Sequence, residues 1–300
     1  MSVNELPALV NELPALVNEL PALVDAEWLA STLPEGDIIT IDTTVLSVAR
    51  SGGGVEWRSG RESFEHEHIP GSRFADLLEA FSSPDAQLVF TRPDSHGFQT
   101  AARALGIGPD SRVVLYDNAI NAFSARLWWL FRSFGHDRVA VLDGGLQAWK
   151  AAGHALESGL AAPVDAGIFV AEPRDGFFVE RADVLAVVNG ELRGTLVCAL
   201  PPENPEVDSG FRGRPGRIPG SVSVPAADML SPQTGTLALT TQFDELADQD
   251  EPVITYCGGG ISASLDAFAL TLLGYRNVRV YDGSLNEWVL DVNAPLVVGL

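Results

Sequence analysis

Residues Val253–Trp288 read VITYCGGGISASLDAFALTLLGYRNVRVYDGSLNEW. They contain a β-type run, a glycine turn, a long stretch with apolar residues at helical spacing, a second β-type run, and an Asp-Gly turn before a tryptophan. A strand, a crossover helix and a second strand in this order predict a parallel βαβ unit. The stretch therefore favours an α/β fold in which helices cover a parallel sheet.

The same order of features occurs earlier in the chain, at Val113–Trp149, which reads VVLYDNAINAFSARLWWLFRSFGHDRVAVLDGGLQAW. Each copy follows an Ile-Pro-Gly-Ser segment, which is HIPGS at His68–Ser72 and RIPGS at Arg217–Ser221. Matching segments in matching order indicate a duplicated domain. We therefore expect two tandem domains of the same fold.

The composition at the ends of the two copies suggests where the domains begin and end. The segment 159–176 is rich in Gly, Ala and Pro, which is typical of a linker between domains at 25–158 and 177–300. Residues 1–24 carry the heptapeptide NELPALV three times in tandem. The proline in every repeat disfavours a continuous helix, so we expect an extension outside the fold, followed by Asp25 as the cap of the first helix.

The bulk composition excludes several classes of protein. The 300 residues include only two cysteines and have a formal net charge of -21 at pH 7. The negative charge disfavours nucleic acid as a partner, and no apolar run is long enough to span a membrane. The scarcity of cysteine and the lack of a secretory signal predict a cytoplasmic location. The histidines show no metal-ligand spacing, so we expect no metal and no cofactor.

Cys257 ends a β-type run, and its turn leads into the predicted helix. Glycines at the following positions allow backbone N–H groups to approach a bound anion closely. The helix adds the positive end of its dipole. Both effects favour the thiolate, which is a nucleophile suited to covalent catalysis at sulfur or phosphorus. Asp117 stands at the matching position of the first copy, so we expect that domain to be inactive.

The two Ile-Pro-Gly-Ser segments, the two Asp-Gly turns and the Cys-Gly-Gly-Gly-Ile-Ser turn resemble tandem-domain rhodaneses, the family of thiosulfate and 3-mercaptopyruvate sulfurtransferases. The resemblance implies two tandem rhodanese-like domains, each a parallel sheet flanked by helices, of which only the C-terminal one is active. It also implies transfer in two steps. The Cys257 thiolate takes a sulfane sulfur from a donor, and the persulfide passes it to cyanide or a thiol.

The turn after Cys257 bears on the identity of the donor. Thiosulfate enzymes of the family commonly carry Arg and Lys where this chain has Gly258 and Gly259. Mercaptopyruvate enzymes carry a Cys-Gly-Ser-Gly-Val-Thr pattern, which is closer, although its serine is Gly259 here. The resemblance therefore favours mercaptopyruvate over thiosulfate as the donor.

The resemblance also points to arginines that bind the donor. The family has Asp-Ser-Arg where Cys198–Leu200 reads Cys-Ala-Leu, so one carboxylate-binding arginine is absent. Arg212, Arg214 and Arg217 are candidates to replace it, because a guanidinium suits a carboxylate. The predicted substrate-binding residues are Gly258, Gly259, Gly260, Ile261, Ser262, Arg212 and Arg214.

Two other functions are compatible with a cysteine in a cradle of N–H groups. A cysteine phosphatase needs a cation for the phosphate oxygens, and no Arg or Lys occurs between 258 and 275. A non-enzymatic sulfur carrier or regulatory module would accept sulfur at Cys257 and release it only to a protein. Against these alternatives, we predict an enzyme that acts on a small-molecule sulfur donor and on a thiol or cyanide acceptor.

Overall fold

A computed structural model describes residues 20–49, 54–201, 214–239, 243, 246 and 248–298. The chain forms two compact units. The N-terminal unit consists of Ala15–Arg174 with Leu230–Ala238, and the C-terminal unit consists of Asp175–Met229 with Leu239–Leu300. Each unit contains a five-stranded sheet whose neighbouring strands are all parallel, with helices beside it. The α/β class predicted from the sequence is confirmed.

The sheet of the N-terminal unit has the strand order β1-β7-β6-β2-β5, and β3 and β4 form a separate antiparallel hairpin. The strands are β1 (Leu23–Val24), β2 (Ile38–Asp42), β3 (Val45–Ala49), β4 (Val55–Ser59), β5 (Arg73–Phe74), β6 (Arg112–Tyr116) and β7 (Val139–Leu142). The helices are α1 (Ala26–Thr32), α2 (Arg61–His66), α3 (Ser95–Ala104), α4 (Ala122–Ser133) and α5 (Gly145–Ala151).

The central helix of this unit is α4, which is buried along its whole length and packs against β6 and β7. Strands β6 and β7 are themselves buried, as expected for central strands of a parallel sheet that helices cover. The chain leaves β6 at its carboxyl end and enters α4 through a short turn. This turn begins at Asp117, so Asp117 lies at the edge of the sheet where ligands of parallel α/β folds bind.

The N-terminal unit begins before the predicted boundary at Asp25. The last heptapeptide supplies β1, Leu23–Val24, which pairs in parallel with β7, and its Leu20 is also buried. Residues Leu23–Val24 join the sheet because a strand at an open edge buries apolar surface and forms backbone hydrogen bonds with its neighbour. Asp25 caps α1 as predicted, because its carboxylate accepts the N–H of Trp28 at 2.7 Å. The repeats at 4–10 and 11–17 lie outside the described residues.

Part of the predicted linker 159–176 packs against the N-terminal unit. The N–H of Gly167 donates to the carbonyl of Arg103 at 2.8 Å, and that of Phe169 donates to the carbonyl of Ile107 at 3.1 Å. Phe169 is buried. Hydrogen bonds therefore attach the backbone of this segment to the N-terminal unit. The unit extends beyond residue 158, the predicted end of the first domain.

A short excursion of the chain, Leu230–Ala238, also belongs to the N-terminal unit. The N–H of Leu237 donates to the carboxylate of Asp143 at 2.7 Å. The side-chain amide of Asn121 donates to the carbonyl of Gly235 at 3.4 Å. These two contacts span 94 and 114 residues of sequence, so no local pattern indicates them.

The sheet of the C-terminal unit has the order β10-β9-β11-β12-β8. Its strands are β8 (Phe178–Val179), β9 (Thr195–Cys198), β10 (Val222–Ser223), β11 (Val253–Tyr256) and β12 (Val278–Tyr281). Its helices are α6 (Arg181–Val188), α7 (Ile261–Leu272) and α8 (Ser284–Trp288), with a 3-10 turn at Ala226–Met229. Helix α7 packs against β11 and β12. Across the described ranges, no helix is long and apolar enough to cross a membrane.

The two sheets have the same order when their strands are matched along the chain. Strands β1, β7, β6, β2 and β5 of the first unit correspond to β8, β12, β11, β9 and β10 of the second. Equivalent strands therefore occupy equivalent places, and α4 corresponds to α7. The match makes Asp117 and Cys257 the first residues after equivalent central strands.

Candidate active site

Cys257 lies at the carboxyl end of β11, in the turn that leads to α7. It is 3% exposed, and its Sγ accepts the N–H of Gly260 at 3.1 Å. Gly260 is the N-cap of α7 and has a φ of 85°, a left-handed conformation that glycine adopts without steric cost. The turn therefore curls back on the sulfur and places it at the positive end of a buried helix.

The turn carries more N–H donors than it uses. In the part of the chain that the structure describes, the N–H groups of Gly258, Gly259, Ile261 and Ser262 have no acceptor. The first N–H groups of a helix always lack a partner within the helix itself, and a turn or ligand commonly satisfies them. These groups and the helix dipole make the turn suited to hold an anion attached to the sulfur.

Helix α8 fixes the position of the turn. The N–H of Leu285 donates to the carbonyl of Cys257 at 3.0 Å, and the N–H of Asn286 donates to the carbonyl of Gly258 at 2.9 Å. Both donors belong to the first turn of α8, so this helix end uses its free N–H groups on the cysteine turn. The reactive turn is thus attached to the sheet on one side and to α8 on the other.

Ser284 makes a further contact that the sequence analysis missed. Its hydroxyl accepts the N–H of Cys257 at 3.1 Å and donates to the carbonyl of Tyr281 at 2.8 Å. Its φ is 48°, in the left-handed region, where a serine is strained and a glycine is not. The equivalent residue of the first unit is Gly145, with a φ of 54°. A serine where the duplicate has glycine was the available signal for this role.

The equivalent turn of the N-terminal unit holds a carboxylate instead. One oxygen of Asp117 accepts the N–H groups of Ala119 at 2.9 Å and Asn121 at 3.1 Å. The other oxygen accepts the N–H of Ser124 at 3.0 Å and its hydroxyl at 2.8 Å. The side chain of Asp117 is therefore itself the anion that this turn binds, and a carboxylate has no sulfur chemistry.

The structure places Arg214 beside the chain that follows α8. Its Nη1 donates to the carbonyls of Val289 at 3.3 Å and Asp291 at 2.6 Å, and its Nη2 donates to the carbonyl of Ala294 at 2.7 Å. These carbonyls follow the end of α8, where backbone acceptors lack helical partners. Both terminal nitrogens of Arg214 thus stabilise the chain after α8, and its role as a substrate ligand stays a prediction. Arg212 lies outside the described residues.

Arg217 differs from Arg214 in keeping an unused donor. It is 7% exposed, and its Nη2 donates to the carbonyl of Pro201 at 3.3 Å. Its Nη1 is buried without a hydrogen-bond partner among the described residues. Cys198, at the end of β9, is fully buried, and burial raises the pKa of its thiol. Cys198 therefore remains a protonated core residue.

Comparisons with known proteins identify relatives of this two-domain chain. The family model for the rhodanese-like domain matches residues 25–152 and 208–291. The chain is 34% identical over 280 residues to the 3-mercaptopyruvate sulfurtransferase of Escherichia coli K12, covering 90% of this chain and 96% of that protein. It is 33% identical over 262 residues to the human 3-mercaptopyruvate sulfurtransferase, covering 80% of this chain and 83% of that protein.

Solved structures show the same fold. The crystal structure of SseA from Escherichia coli, a 3-mercaptopyruvate sulfotransferase with the rhodanese fold, matches with a TM-score of 0.76 and 30% identity, over 88% of this chain and 99% of that one. Tum1 from Saccharomyces cerevisiae shares the fold, with a TM-score of 0.79 at 24% identity over 91% of this chain and 97% of that one. The chain belongs to the rhodanese-like family. It is a sulfurtransferase, as the sequence analysis predicted.

Proposed function

We propose that this protein transfers sulfur from 3-mercaptopyruvate to a thiol or cyanide through a persulfide on Cys257. One observation carries the proposal. The N–H groups of Gly258, Gly259, Ile261 and Ser262 have no acceptor in the described chain, although they belong to the turn that encloses the sulfur. A persulfide adds an anionic sulfur beyond Sγ, and these donors match its charge.

The first step forms the persulfide and releases pyruvate. The Cys257 thiolate attacks the sulfur of mercaptopyruvate, and a sulfur–sulfur bond forms as the donor's carbon–sulfur bond breaks. The electron pair of that bond moves to the methylene carbon and is delocalised on the adjacent ketone oxygen as an enolate. A proton from water or from the new persulfide then converts the enolate to pyruvate. The free N–H groups of the turn stabilise the persulfide charge that results.

The second step returns the thiolate. An acceptor thiolate, or cyanide, attacks the outer sulfur, and the electron pair of the sulfur–sulfur bond returns to Cys257 Sγ. The product is an acceptor persulfide or thiocyanate. Cys257 is a good leaving group here because the N–H of Gly260 and the dipole of α7 stabilise its thiolate. No metal or organic cofactor takes part in either step.

Binding of the donor carboxylate is assigned in this proposal to Arg212 and Arg217. Arg217 is favoured by its buried Nη1, which has no partner in the described chain and can donate to an anion. Its Nη2 contacts the carbonyl of Pro201, three residues after the end of β9. That place matches the carboxyl edge of the sheet, where parallel α/β folds bind their ligands.

Thiosulfate is the second donor to test, and the turn disfavours it. Thiosulfate is a dianion, and the stretch 258–275 contains no lysine or arginine to neutralise it. The acceptor in this proposal is also a small molecule. The net charge of -21 disfavours nucleic acid, and we propose a cytoplasmic site of action without a membrane partner.

The test is a mass measurement combined with turnover. The protein is incubated with mercaptopyruvate or thiosulfate, desalted and weighed intact, and steady-state rates are measured with cyanide and with a dithiol. We expect one added sulfur on the wild type and on Cys198→Ser, none on Cys257→Ser, and a higher kcat/KM with mercaptopyruvate. An unchanged mass after exposure to both donors overturns the proposal. Sulfur uptake without turnover would instead identify a carrier.

A further inference from the structure

The side chain of Asn286 lies against the reactive turn. Its own backbone N–H donates to the carbonyl of Gly258, which holds the residue beside the turn. A Cβ atom added to Gly259 would lie 3.2 Å from the Nδ2 of Asn286. The carboxamide therefore covers the bare Cα of Gly259, in the space where a side chain at that position would extend.

The carboxamide of Asn286 has no partner in the part of the chain that the structure describes. The residue is half-buried, and its polar atoms remain accessible. A buried amide normally satisfies its donors and acceptor within the protein, since unsatisfied polar groups cost free energy. An accessible and unused amide held next to a nucleophile is instead placed to bind a ligand.

The proposed donor has an oxygen that needs a hydrogen bond at this place. As the carbon–sulfur bond of mercaptopyruvate breaks, negative charge develops on its ketone oxygen. The stretch 258–275 offers no cation for this charge. A neutral N–H donor in a partly water-excluded site stabilises such an oxyanion and needs no counter-charge.

We propose that Asn286 is a catalytic residue for keto-acid donors, whose Nδ2–H group donates to the ketone oxygen as the enolate forms. The inference rests on the proposed function. Gly259 and Asn286 together would favour keto-acid donors, because Gly259 leaves space for the carboxamide and Asn286 provides the hydrogen bond. The role is confined to the first step, since the enolate leaves before the acceptor reacts.

The test measures the two steps separately in single-turnover reactions. With mercaptopyruvate, Asn286→Ala should form the persulfide about 100 to 1,000 times more slowly, the loss that removal of one oxyanion donor produces. Discharge of a persulfide preloaded with inorganic polysulfide to cyanide should keep the wild-type rate. Asn286→Asp replaces the donor with a negative charge and should be slower still. Asn293→Ala, an exposed asparagine on the same unit, is the matched control and should behave as the wild type.

The possible outcomes distinguish failure of the proposed function from failure of the role assigned to Asn286. If the wild type takes no sulfur from mercaptopyruvate, the proposed function fails. If the wild type is loaded and Asn286→Ala is loaded equally fast, only the role of Asn286 is overturned. If loading and discharge slow equally, the residue acts on the persulfide itself and the assignment to the ketone oxygen is wrong. Polysulfide loading of the variant shows that it is folded.

A second variant tests the coupling between the two residues. Gly259 has no left-handed φ, so Gly259→Ala is opposed only by the nearby carboxamide. We expect Gly259→Ala to displace Asn286 and slow persulfide formation about tenfold in the wild-type background, but to have little effect in Asn286→Ala. Additive losses in the double variant would show that the two residues act independently.

Discussion

The turns at Asp117 and Cys257 follow equivalent central strands and lead into buried helices through a left-handed residue, Asn121 in one case and Gly260 in the other. Their side chains are satisfied differently. The Asp117 carboxylate accepts four hydrogen bonds from its own turn and helix. Within the described ranges, the Cys257 sulfur accepts one, from Gly260.

The difference supports the prediction that the first domain keeps the fold but is inactive. In both turns, backbone N–H groups converge at the positive end of a helix, which favours a negative charge there. In the first unit the side chain of Asp117 already accepts these donors. In the second unit the short turn leaves its donors for a group carried on sulfur. We therefore expect one side chain to distinguish a structural anion site from a reactive one.

The largest expected effect is on Cys257. Cys257→Ser should lower sulfur transfer by at least about a thousandfold, because a hydroxyl forms no persulfide and is a poor nucleophile without a base. Turnover with cyanide and the intact mass after donor treatment measure the loss. Circular dichroism and urea unfolding should match the wild type. Activity that survives in this variant would move the reaction to another group.

The next largest expected effect is a loss of stability, and it should differ between substitutions in the two turns. Asp117→Ala should lower the free energy of unfolding by about 3 to 5 kcal/mol, since it leaves several buried donors without an acceptor. Cys257→Ala, the matched variant, should cost less than about 1 kcal/mol, because its sulfur accepts a single hydrogen bond. Urea unfolding of both proteins checks the pair. Equal losses would mean that the two turns do not differ in the way described.

A third comparison concerns the helices that follow the turns. Asp266 on α7 is fully buried, and neither carboxylate oxygen has a partner among the described residues. Burial raises the pKa of Asp266 well above its usual range, so the carboxyl is neutral in the folded protein. The equivalent residue on α4 is Leu127, which is also buried. Asp266→Leu should therefore stabilise the protein, by about 1 to 3 kcal/mol at pH 7.

The pH dependence of the free energy of unfolding provides a second test of the buried Asp266 carboxyl. Unfolded Asp266 releases its proton near pH 4, whereas the folded residue retains it at higher pH. The folded state then binds more protons, so the contribution of Asp266 to stability falls as the pH rises from about 4 towards the folded pKa. Urea unfolding between pH 4 and 8 should show a shallower decline for Asp266→Leu than for the wild type. Parallel curves would contradict a neutral, buried carboxyl.

The smallest effect concerns Ser284 and its counterpart Gly145. Ser284→Gly removes the hydroxyl that holds the N–H of Cys257 but relieves the left-handed backbone. Ser284→Ala removes the same hydroxyl and keeps the strain, so it should be less stable than Ser284→Gly by about 1 kcal/mol. Urea unfolding ranks the two variants. Both variants should form the persulfide more slowly than the wild type. If Ser284→Ala were the more stable variant, the proposed backbone strain at residue 284 would be wrong.

Much of the fold could be predicted because it is encoded in local patterns. The β-type runs, the helical spacing in Val253–Trp288 and its repetition at Val113–Trp149 predicted two parallel sheets. Strand β1 was missed because two apolar residues carry no periodicity. The packed part of 159–176 was missed because Gly, Ala and Pro are typical of linkers, whatever they contact.

The site was predicted only in part, for a related reason. Cys257 stands out because three glycines after a strand indicate a turn open to an anion. Arg214 was predicted to bind the substrate from the family resemblance and from the fit of a guanidinium to a carboxylate, and no local pattern indicated that it binds carbonyls after α8. Ser284 and Asn286 were not considered, because their contacts join two turns that are distant in sequence.

The amino-acid sequence by itself determined the fold class and the duplication, and it predicts Cys257 as the nucleophile, because strand period, helix period and glycine turns act within a few residues of the chain. The tertiary structure alone decided which donors are already used. The four bonds at Asp117 depend on atoms brought together by packing. So do the N–H groups after Cys257 and the amide of Asn286 that have no partner among the described residues. Hydrogen-bond satisfaction is a property of positions in space, and no spacing in the sequence encodes it.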